Sequence, residues 1–227
     1  MIMNEELQLR SQKVAASKAA SVVYAVTRFL LRVFLWSYLR VGVSGKEHLY
    51  GKDALIMAPV HRSNLDSILL APLHKRRMRA LAKESLFKLR PFAWYLSALG
   101  AFPIRRGSAD RESVKIAKTL LESGATLLVF PEGTRQEGNQ IGELFDGTAY
   151  LAAKSGVPVV PIGIAGSEKA MGAGSRIPKP YKVRICVGAP IPAPDGNSKR
   201  SSLSSWTQRL TLELQAAQDA AQALVDN

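Results

Sequence analysis

The sequence has little of the chemistry on which several classes of protein depend. It contains one cysteine, Cys186, and three histidines in 227 residues. One cysteine excludes an internal disulfide, and the histidines lack the short ligand spacings of a metal site. We find no nucleophile elbow of the hydrolase type and no recognised nucleic-acid motif. The sequence therefore disfavours disulfide-stabilised, metal-dependent and nucleic-acid-binding proteins.

Acidic residues are also scarce relative to basic ones. Lys plus Arg number 31 against 18 Asp plus Glu, which gives a formal net charge of +13. From this charge we expect anionic partners, which are lipid head groups, nucleic acid or phosphorylated small molecules. The hydrophobic content of 47% supports a sizeable core, and the length suits one large α/β domain with an appended segment.

Glycine and proline are absent from residues 4–40, which predicts one long helix or two helices without a strong breaker. Residues 22–39 are rich in Leu, Phe and Val, which favour membrane insertion by roughly 3–6 kcal/mol, whereas Arg28 and Arg32 oppose it by about 5–7 kcal/mol. We therefore expect this helix to lie in the head-group layer. The alternatives are a spanning helix, or one packed on its own domain or a partner subunit. Because Glu5 and Glu6 stand where a secretory signal would be basic, we predict no signal peptide.

The rest of the chain alternates short apolar runs with longer mixed stretches. This alternation predicts an α/β layered domain, with a largely parallel or mixed sheet flanked by helices. The predicted strands are 54–58, 79–82, 125–130, 157–164 and 183–187. The predicted helices are 64–72, 86–99, 110–122, 148–154 and 202–225. We divide the chain into an amphipathic helical membrane-association segment, 1–45, and an α/β domain, 46–227.

A histidine and a carboxylate lie five positions apart in His61-Arg62-Ser63-Asn64-Leu65-Asp66, just after a predicted strand. Residues at this spacing do not meet on an ideal helix. They can touch only if His61 precedes the helix and Asp66 reaches back from its first turn, with Ser63 or Asn64 as a cap. Asp66 would then orient the imidazole, which would act as general base. The spacing alone fits equally a capping aspartate beside a structural histidine.

Four sequence blocks in a fixed order make the pattern specific. They are residues 61–66, Gly100-Ala101-Phe102-Pro103-Ile104-Arg105-Arg106, Phe130-Pro131-Glu132-Gly133-Thr134-Arg135, and Val157-Pro158-Val159-Val160-Pro161-Ile162. In these blocks the chain resembles the PlsC-type glycerolipid acyltransferases, the family of 1-acylglycerol-3-phosphate acyltransferases, over roughly residues 46–192. Two positions depart from the family pattern: Val60 stands where Asn is frequent, and Arg105 where an acidic residue is common.

The resemblance implies that the α/β domain transfers a fatty acyl group to 1-acylglycerol 3-phosphate and gives phosphatidic acid. His61 is then the general base and Asp66 its orienting carboxylate. Arg106 and Arg135 are expected to hold the acceptor's phosphate. Arg105, Glu132, Gly133 and Thr134 complete the predicted substrate-binding set, with Glu132 contacting an acceptor hydroxyl or holding Arg135.

The same resemblance predicts no metal and no cofactor, with acyl-CoA or acyl carrier protein as the co-substrate that donates the acyl group. We expect an anionic phospholipid membrane as partner, no nucleic acid, and a peripheral or monotopic location on the cytoplasmic face of the cell membrane. The acceptor alternatives are glycerol 3-phosphate or another lysophospholipid. A non-catalytic basic membrane-binding module and a hydrolase that uses His61 to activate water are alternatives of a different class.

Overall fold

The computed structural model describes residues 2–51, 53–74, 76–104, 111–172, 174–175 and 177–226, and in these ranges strands alternate with helices. The strands are β1 (Gly42–Ser44), β2 (Leu55–Pro59), β3 (Met78–Lys83), β4 (Ala101–Ile104), β5 (Thr126–Leu128), β6 (Val159–Ala165) and β7 (Arg184–Val187). The helices are α1 (Ile2–Ala16), α2 (Lys18–Leu30), α3 (Trp36–Tyr38), α4 (Asp66–Leu70), α5 (Arg90–Ala98), α6 (Arg111–Glu122), α7 (Gly147–Ser155), α8 (Ser167–Ala170) and α9 (Arg200–Asp226). A π-helical turn, Leu31–Leu35, joins α2 to α3, and 3₁₀ turns cover Lys46–Leu49 and Glu84–Phe87.

One mixed sheet organises these elements, in the order β1-β7-β6-β2-β5-β3-β4. Its neighbours are parallel except for β6 and β7, which pair antiparallel. All five residues of the central strand β2 are buried, as expected for a parallel strand covered on both faces. The predicted α/β fold with a mixed sheet is thereby confirmed. Because β6, β2, β5 and β3 run in the same direction, the loops that follow them lie along a single edge of the sheet.

The sequence-based prediction missed two strands and misplaced several ends. β1 has only three residues, and β4 includes Pro103, a residue that disfavours strands. Proline is tolerated here because β4 lies at an edge of the sheet and needs fewer ladder hydrogen bonds. The helix predicted at 64–72 is shorter, since α4 covers only Asp66–Leu70. The strand predicted at 157–164 begins two residues later and ends at Ala165.

The amino-terminal segment consists of two helices that separate at Ser17. The Ser17 side chain accepts a hydrogen bond from the Ala20 backbone N–H and so starts α2 as a new helix. The stretch Lys18–Tyr38 is long and apolar enough to cross a membrane, and only 11% of it is buried. It is nevertheless attached to the domain: Trp36 Nε1 donates to the Leu69 carbonyl, and the buried Tyr24 hydroxyl accepts from the Met78 N–H.

Lys and Arg residues are concentrated between positions 75 and 90, and they do not form a uniformly solvated surface. Arg79 on β3 is buried, and its burial lowers the pKa of the guanidinium to about 10. Arg77 lies over the ring of Tyr24 and donates to the Ser21 hydroxyl. Lys83, Lys88 and Arg90 remain exposed, whereas Lys75 lies outside the described residues. The exposed charge is therefore concentrated after β3 rather than spread along the run.

Helix α9 packs against β6 with almost no space between the two backbones. A Cβ added at Gly163 would lie 2.1 Å from the Ala217 carbonyl oxygen and 2.5 Å from the Gln218 nitrogen. This close approach lets Gln218 Oε1 accept a hydrogen bond from the Ile164 N–H at 2.9 Å. Helix and strand are therefore joined by backbone contact as well as by side chains.

We expect Gly163→Ala to lower the free energy of unfolding by about 3 kcal/mol, because backbone atoms of α9 must move to admit the methyl group. Chemical denaturation followed by circular dichroism measures the change. Gly147→Ala is the matched control, since a Cβ at Gly147 meets no atom within 4 Å. Equal unfolding midpoints for the two variants would show that α9 yields freely.

Candidate active site

His61 and Asp66 meet at the edge of the sheet where the parallel strands end. His61 follows β2 by two residues, and its Nδ1 lies 3.0 Å from Asp66 Oδ2. Asp66 is fully buried, whereas the His61 side chain is 20% exposed. An ionised carboxylate can only accept, so a neutral imidazole in this pair has its hydrogen on Nδ1 and its lone pair on Nε2. The pair thus presents one basic nitrogen from an otherwise closed environment.

The local backbone explains how residues five apart come together. His61 precedes α4, which begins at Asp66, as the sequence required for contact. Asp66 Oδ2 also accepts hydrogen bonds from the backbone N–H groups of Arg62 and Ser63, both at 2.7 Å. The cap predicted at Ser63 or Asn64 takes a different form, because the Ser63 hydroxyl accepts from the Leu65 N–H and donates to the Met171 carbonyl.

The loop after β5 packs directly against His61. The ring of Phe130 stacks on the imidazole with centroids 4.0 Å apart. The backbone N–H of Gln136 donates to the His61 carbonyl at 2.8 Å. These contacts hold His61 against the loop after β5 through both its ring and its backbone carbonyl.

Glu132 occupies a different place from the one expected of a residue that touches the acceptor or holds Arg135. It is buried, and its carboxylate pairs with Arg62, whose Nη1 lies 2.9 Å from Oε1 and 2.8 Å from Oε2. Glu132 Oε2 also accepts from the His61 backbone N–H at 2.9 Å. Residue 132 therefore joins the β5 loop to the β2 loop.

Gly133, Thr134 and Arg135 turn outward immediately after this buried carboxylate. Gly133 has a φ of +70°, a left-handed conformation that glycine adopts without strain. All three residues are exposed. Among the residues that the structure describes, none forms a hydrogen bond or an ion pair with the Arg135 guanidinium. The Arg135 guanidinium is therefore accessible from solvent.

A cavity of about 750 Å³ is lined by residues of both the loop after β2 and the loop after β5. Most of its lining is polar, and it collects residues that follow β2, β5 and β6. They are His61, Arg62, Asn64, Gly133, Thr134, Arg135, Gln136, Glu137, Gly138, Glu168 and Gly172. His61 and Arg135 thus share one solvent-accessible space.

The cavity wall at Gly138 continues into residues 139–141, and this wall segment is held from two sides. Arg62 donates to the carbonyls of Gly138 and Gln140, at 2.9 and 3.1 Å. From helix α9, Gln215 accepts from the Ile141 N–H, and Gln218 donates to the Asn139 side chain at 3.0 Å. The wall is therefore tied both to the histidine loop and to the carboxyl-terminal helix.

Sequence reasoning missed two residues of this site. Arg62 stands beside His61 in the motif, but its pairing with Glu132 depends on the adjacency of β2 and β5. Glu168 follows β6, a strand whose carboxyl end reaches the same edge; its Oε2 is buried with no hydrogen-bond partner among the described residues. Arg105 and Arg106, both predicted to bind substrate, lie outside the described residues.

Among the residues that the structure describes, no three His, Cys, Asp or Glu side chains form a group suited to a metal ion. The arrangement instead combines an oriented imidazole with an exposed guanidinium. A base of this kind can remove a proton from an alcohol, and the guanidinium can hold a phosphate or carboxylate close by.

Known proteins are similar to this chain in both sequence and fold. The family model described as Acyltransferase matches residues 40–165. The Thermotoga maritima 1-acyl-sn-glycerophosphate acyltransferase PlsC has a crystal structure that superposes with a TM-score of 0.73 at 25% identity. The match covers 96% of this chain and 88% of that one.

Curated relatives with the name 1-acyl-sn-glycerol-3-phosphate acyltransferase are similar over most of the chain. The chloroplastic protein of Arabidopsis thaliana is 29% identical over 169 residues, which are 73% of this chain and 48% of the relative. The Pseudomonas aeruginosa protein is 29% identical over 72% of this chain and 63% of its own length. The chain therefore spans about half the length of the plant relatives it matches.

Proposed function

The chain belongs to the acyltransferase family, and on that premise we propose that it acylates the free hydroxyl of 1-acylglycerol 3-phosphate to give phosphatidic acid. The observation that carries the proposal is the placement of the His61–Asp66 pair and the exposed Arg135 around one cavity. The relatives bear the name of this activity. Glycerol 3-phosphate and other lysophospholipids share the alcohol and phosphate, and are the alternative acceptors.

In the proposed reaction, His61 Nε2 removes the proton from the acceptor hydroxyl, and the oxygen of that hydroxyl attacks the thioester carbonyl. The new C–O bond forms, the C–S bond breaks, and the thiolate takes the proton from the imidazolium to leave as a free thiol. Asp66 stabilises the imidazolium in between, through the 3.0 Å hydrogen bond. A thiolate is a good leaving group, so a single base is sufficient.

The acceptor's phosphate is proposed to bind Arg135, because a guanidinium can make two parallel hydrogen bonds to phosphate oxygens. Arg106, and with it Arg105, remains a sequence-based candidate for the same phosphate. Gly133 and Thr134 lie next to Arg135 on the cavity wall and complete the proposed acceptor site. The acyl donor is acyl-CoA or acyl carrier protein, with no further cofactor required.

The proposed partner is an anionic membrane on the cytoplasmic side of the cell. Helix α2 and the following turn expose large apolar side chains, among them Val22, Val26, Phe29 and Phe34. Such a row next to Arg28 and Arg32 suits a helix that lies among the head groups. A membrane-bound enzyme reaches a lysolipid acceptor without extracting it fully into water.

An acceptor panel tests the proposal: purified protein, vesicles, labelled acyl-CoA, and lysophosphatidic acid, glycerol 3-phosphate, lysophosphatidylcholine or monoacylglycerol. We expect phosphatidic acid from lysophosphatidic acid at the highest kcat/KM. Free fatty acid at the same rate with and without acceptor would identify a hydrolase. Absence of any product, with vesicle binding intact, would identify a non-catalytic membrane module.

We expect Arg135→Ala to lower kcat/KM for lysophosphatidic acid about 10- to 100-fold, since a charged hydrogen-bond pair contributes about 1.5–3 kcal/mol. Monoacylglycerol, which lacks the phosphate, should lose little. The exposed Arg209→Ala on α9 is the matched control for loss of surface charge. An equal loss with monoacylglycerol would remove the phosphate role from Arg135.

A further inference from the structure

We propose that two exposed apolar tips, one on each side of the cavity, insert into the surface of an anionic bilayer. The first, the leucine tip, consists of Leu86 and Leu89. The second, the isoleucine tip, is Ile177. The inference rests on the proposed membrane association of α2 and specifies which further residues meet the lipid.

The order of the strands places the tips on opposite sides of the catalytic loops. The leucine tip follows β3, and the isoleucine tip lies in the loop after β6 and α8. Between β3 and β6 lie β5 and β2, whose loops carry Arg135 and His61. Three strand spacings separate the two sides by about 14 Å. The tips therefore bracket the cavity along the sheet edge.

Ile177 and Leu89 are among the most exposed large apolar side chains of the described chain, at 78% and 71%, and Leu86 is 47% exposed. Scattered apolar residues on a surface are ordinary, but these follow β3 and α8, on either side of the loops that carry Arg135 and His61. The loop of the isoleucine tip starts at the cavity wall, where the Met171 carbonyl accepts a 2.6 Å hydrogen bond from Ser63.

Both sides are also attached to the amino-terminal helices. Behind the leucine tip, the α5 hydroxyl of Tyr95 lies 3.3 Å from the Thr27 hydroxyl of α2. Next to the isoleucine tip, Tyr38 donates to the Pro178 carbonyl and Arg40 to the Pro180 carbonyl, each at 3.1 Å. Helix α5 behind the first tip and the loop of the second tip therefore both contact the amino-terminal segment, the first at α2 and the second at Tyr38 and Arg40.

Charge identifies the lipid as anionic. Lys83, Lys88 and Arg90 are exposed around the leucine tip, and Arg40 and Lys179 are exposed around the isoleucine tip. Basic side chains beside inserted apolar groups gain attraction from anionic head groups. An acidic carrier protein offers the same charge, but two separated tips, both attached to an amino-terminal segment with exposed apolar side chains, match a broad lipid surface better than one small protein.

Site-specific labelling tests the contact directly. Cys186 is buried, so Leu89→Cys or Ile177→Cys supplies the reactive thiol for an environment-sensitive nitrobenzoxadiazole label. With vesicles of phosphatidylcholine and phosphatidylglycerol, we expect a blue shift and stronger emission at both positions. Leu212→Cys on α9, at a residue 72% exposed, is the control and should stay solvent-like. Solvent-like emission at position 89 or 177 in bound protein would overturn the proposal.

Polar substitution measures what each tip contributes. We expect Leu89→Asn and Ile177→Asn each to weaken vesicle partitioning about five- to tenfold, with Leu212→Asn unchanged. Unchanged partitioning in both tip variants, or weaker binding to acyl carrier protein instead, would contradict the inference. These measurements contain no acyl donor or acceptor, so they succeed or fail independently of the acyl transfer.

Discussion

Replacement of His61 by alanine is expected to lower kcat about 10³-fold or more, with little change in the KM for the acceptor. The reason is that a positioned general base contributes about 10²–10⁴ in rate. Steady-state turnover of lysophosphatidic acid with acyl-CoA measures the effect. His48→Gln, which changes a histidine on the Lys46–Leu49 turn, controls for loss of an imidazole elsewhere.

Asp66→Asn should produce a loss of similar size for a different reason. The asparagine oxygen can still accept from the Arg62 and Ser63 N–H groups, so the loop keeps part of its support. The negative charge that stabilises the imidazolium is gone, and an amide does not impose the Nδ1–H tautomer. The double variant should be little slower than His61→Ala alone, because the two residues act as a unit. Turnover of either single variant at the wild-type rate would remove the pair from the mechanism.

Arg62→Met or Glu132→Leu is expected to cost about 3–5 kcal/mol of the free energy of unfolding. Both side chains are essentially buried, so removal of one leaves the other charge without its partner. The double variant Arg62→Met/Glu132→Leu should recover part of this loss, since an apolar pair leaves no buried charge. Denaturant unfolding of the four proteins gives the coupling energy. Additive losses would show that the pair does not act as a unit.

The activity of the same four proteins should follow a different pattern. Both single variants and the double variant should turn over slowly even where they are folded. Glu132→Leu removes the acceptor of the His61 backbone N–H, and Arg62→Met removes the donor to the Gly138 carbonyl. Recovery of stability without recovery of kcat therefore separates the positioning of the loops from general folding.

The sequence predicted the contact between His61 and Asp66 because both residues lie in one short segment. For the two to touch, His61 had to precede the helix and Asp66 had to lie in its first turns, and the structure has this arrangement. The Arg62–Glu132 pair spans 70 residues, and it arises only because β2 and β5 are neighbours in the sheet. A strand order of this kind is a property of the whole chain, so the sequence motif does not indicate that Glu132 pairs with Arg62.

The fold was predictable to a similar extent. Continuous apolar runs marked β2 and β6, and the periodic pattern marked α9, whose predicted range 202–225 agrees with Arg200–Asp226. β1 and β4 could not be predicted because both are short and their residues taken together have no strong strand propensity. Their pairing with neighbouring strands defines them. The bend between α1 and α2 depends on one serine cap, a signal too small to stand out in a stretch without glycine or proline.

The hydrogen bonds between α9 and the cavity wall show that the site depends on residues outside the segment that the family model matches. The family model ends at residue 165, whereas Gln215 and Gln218 bind Ile141 and Asn139 from α9. The chemistry and its scaffold thus have different boundaries along the chain. A protein trimmed to residues 40–165 would keep His61, Asp66 and Arg135. It would lose α9 and with it the hydrogen bonds that hold Asn139 and Ile141.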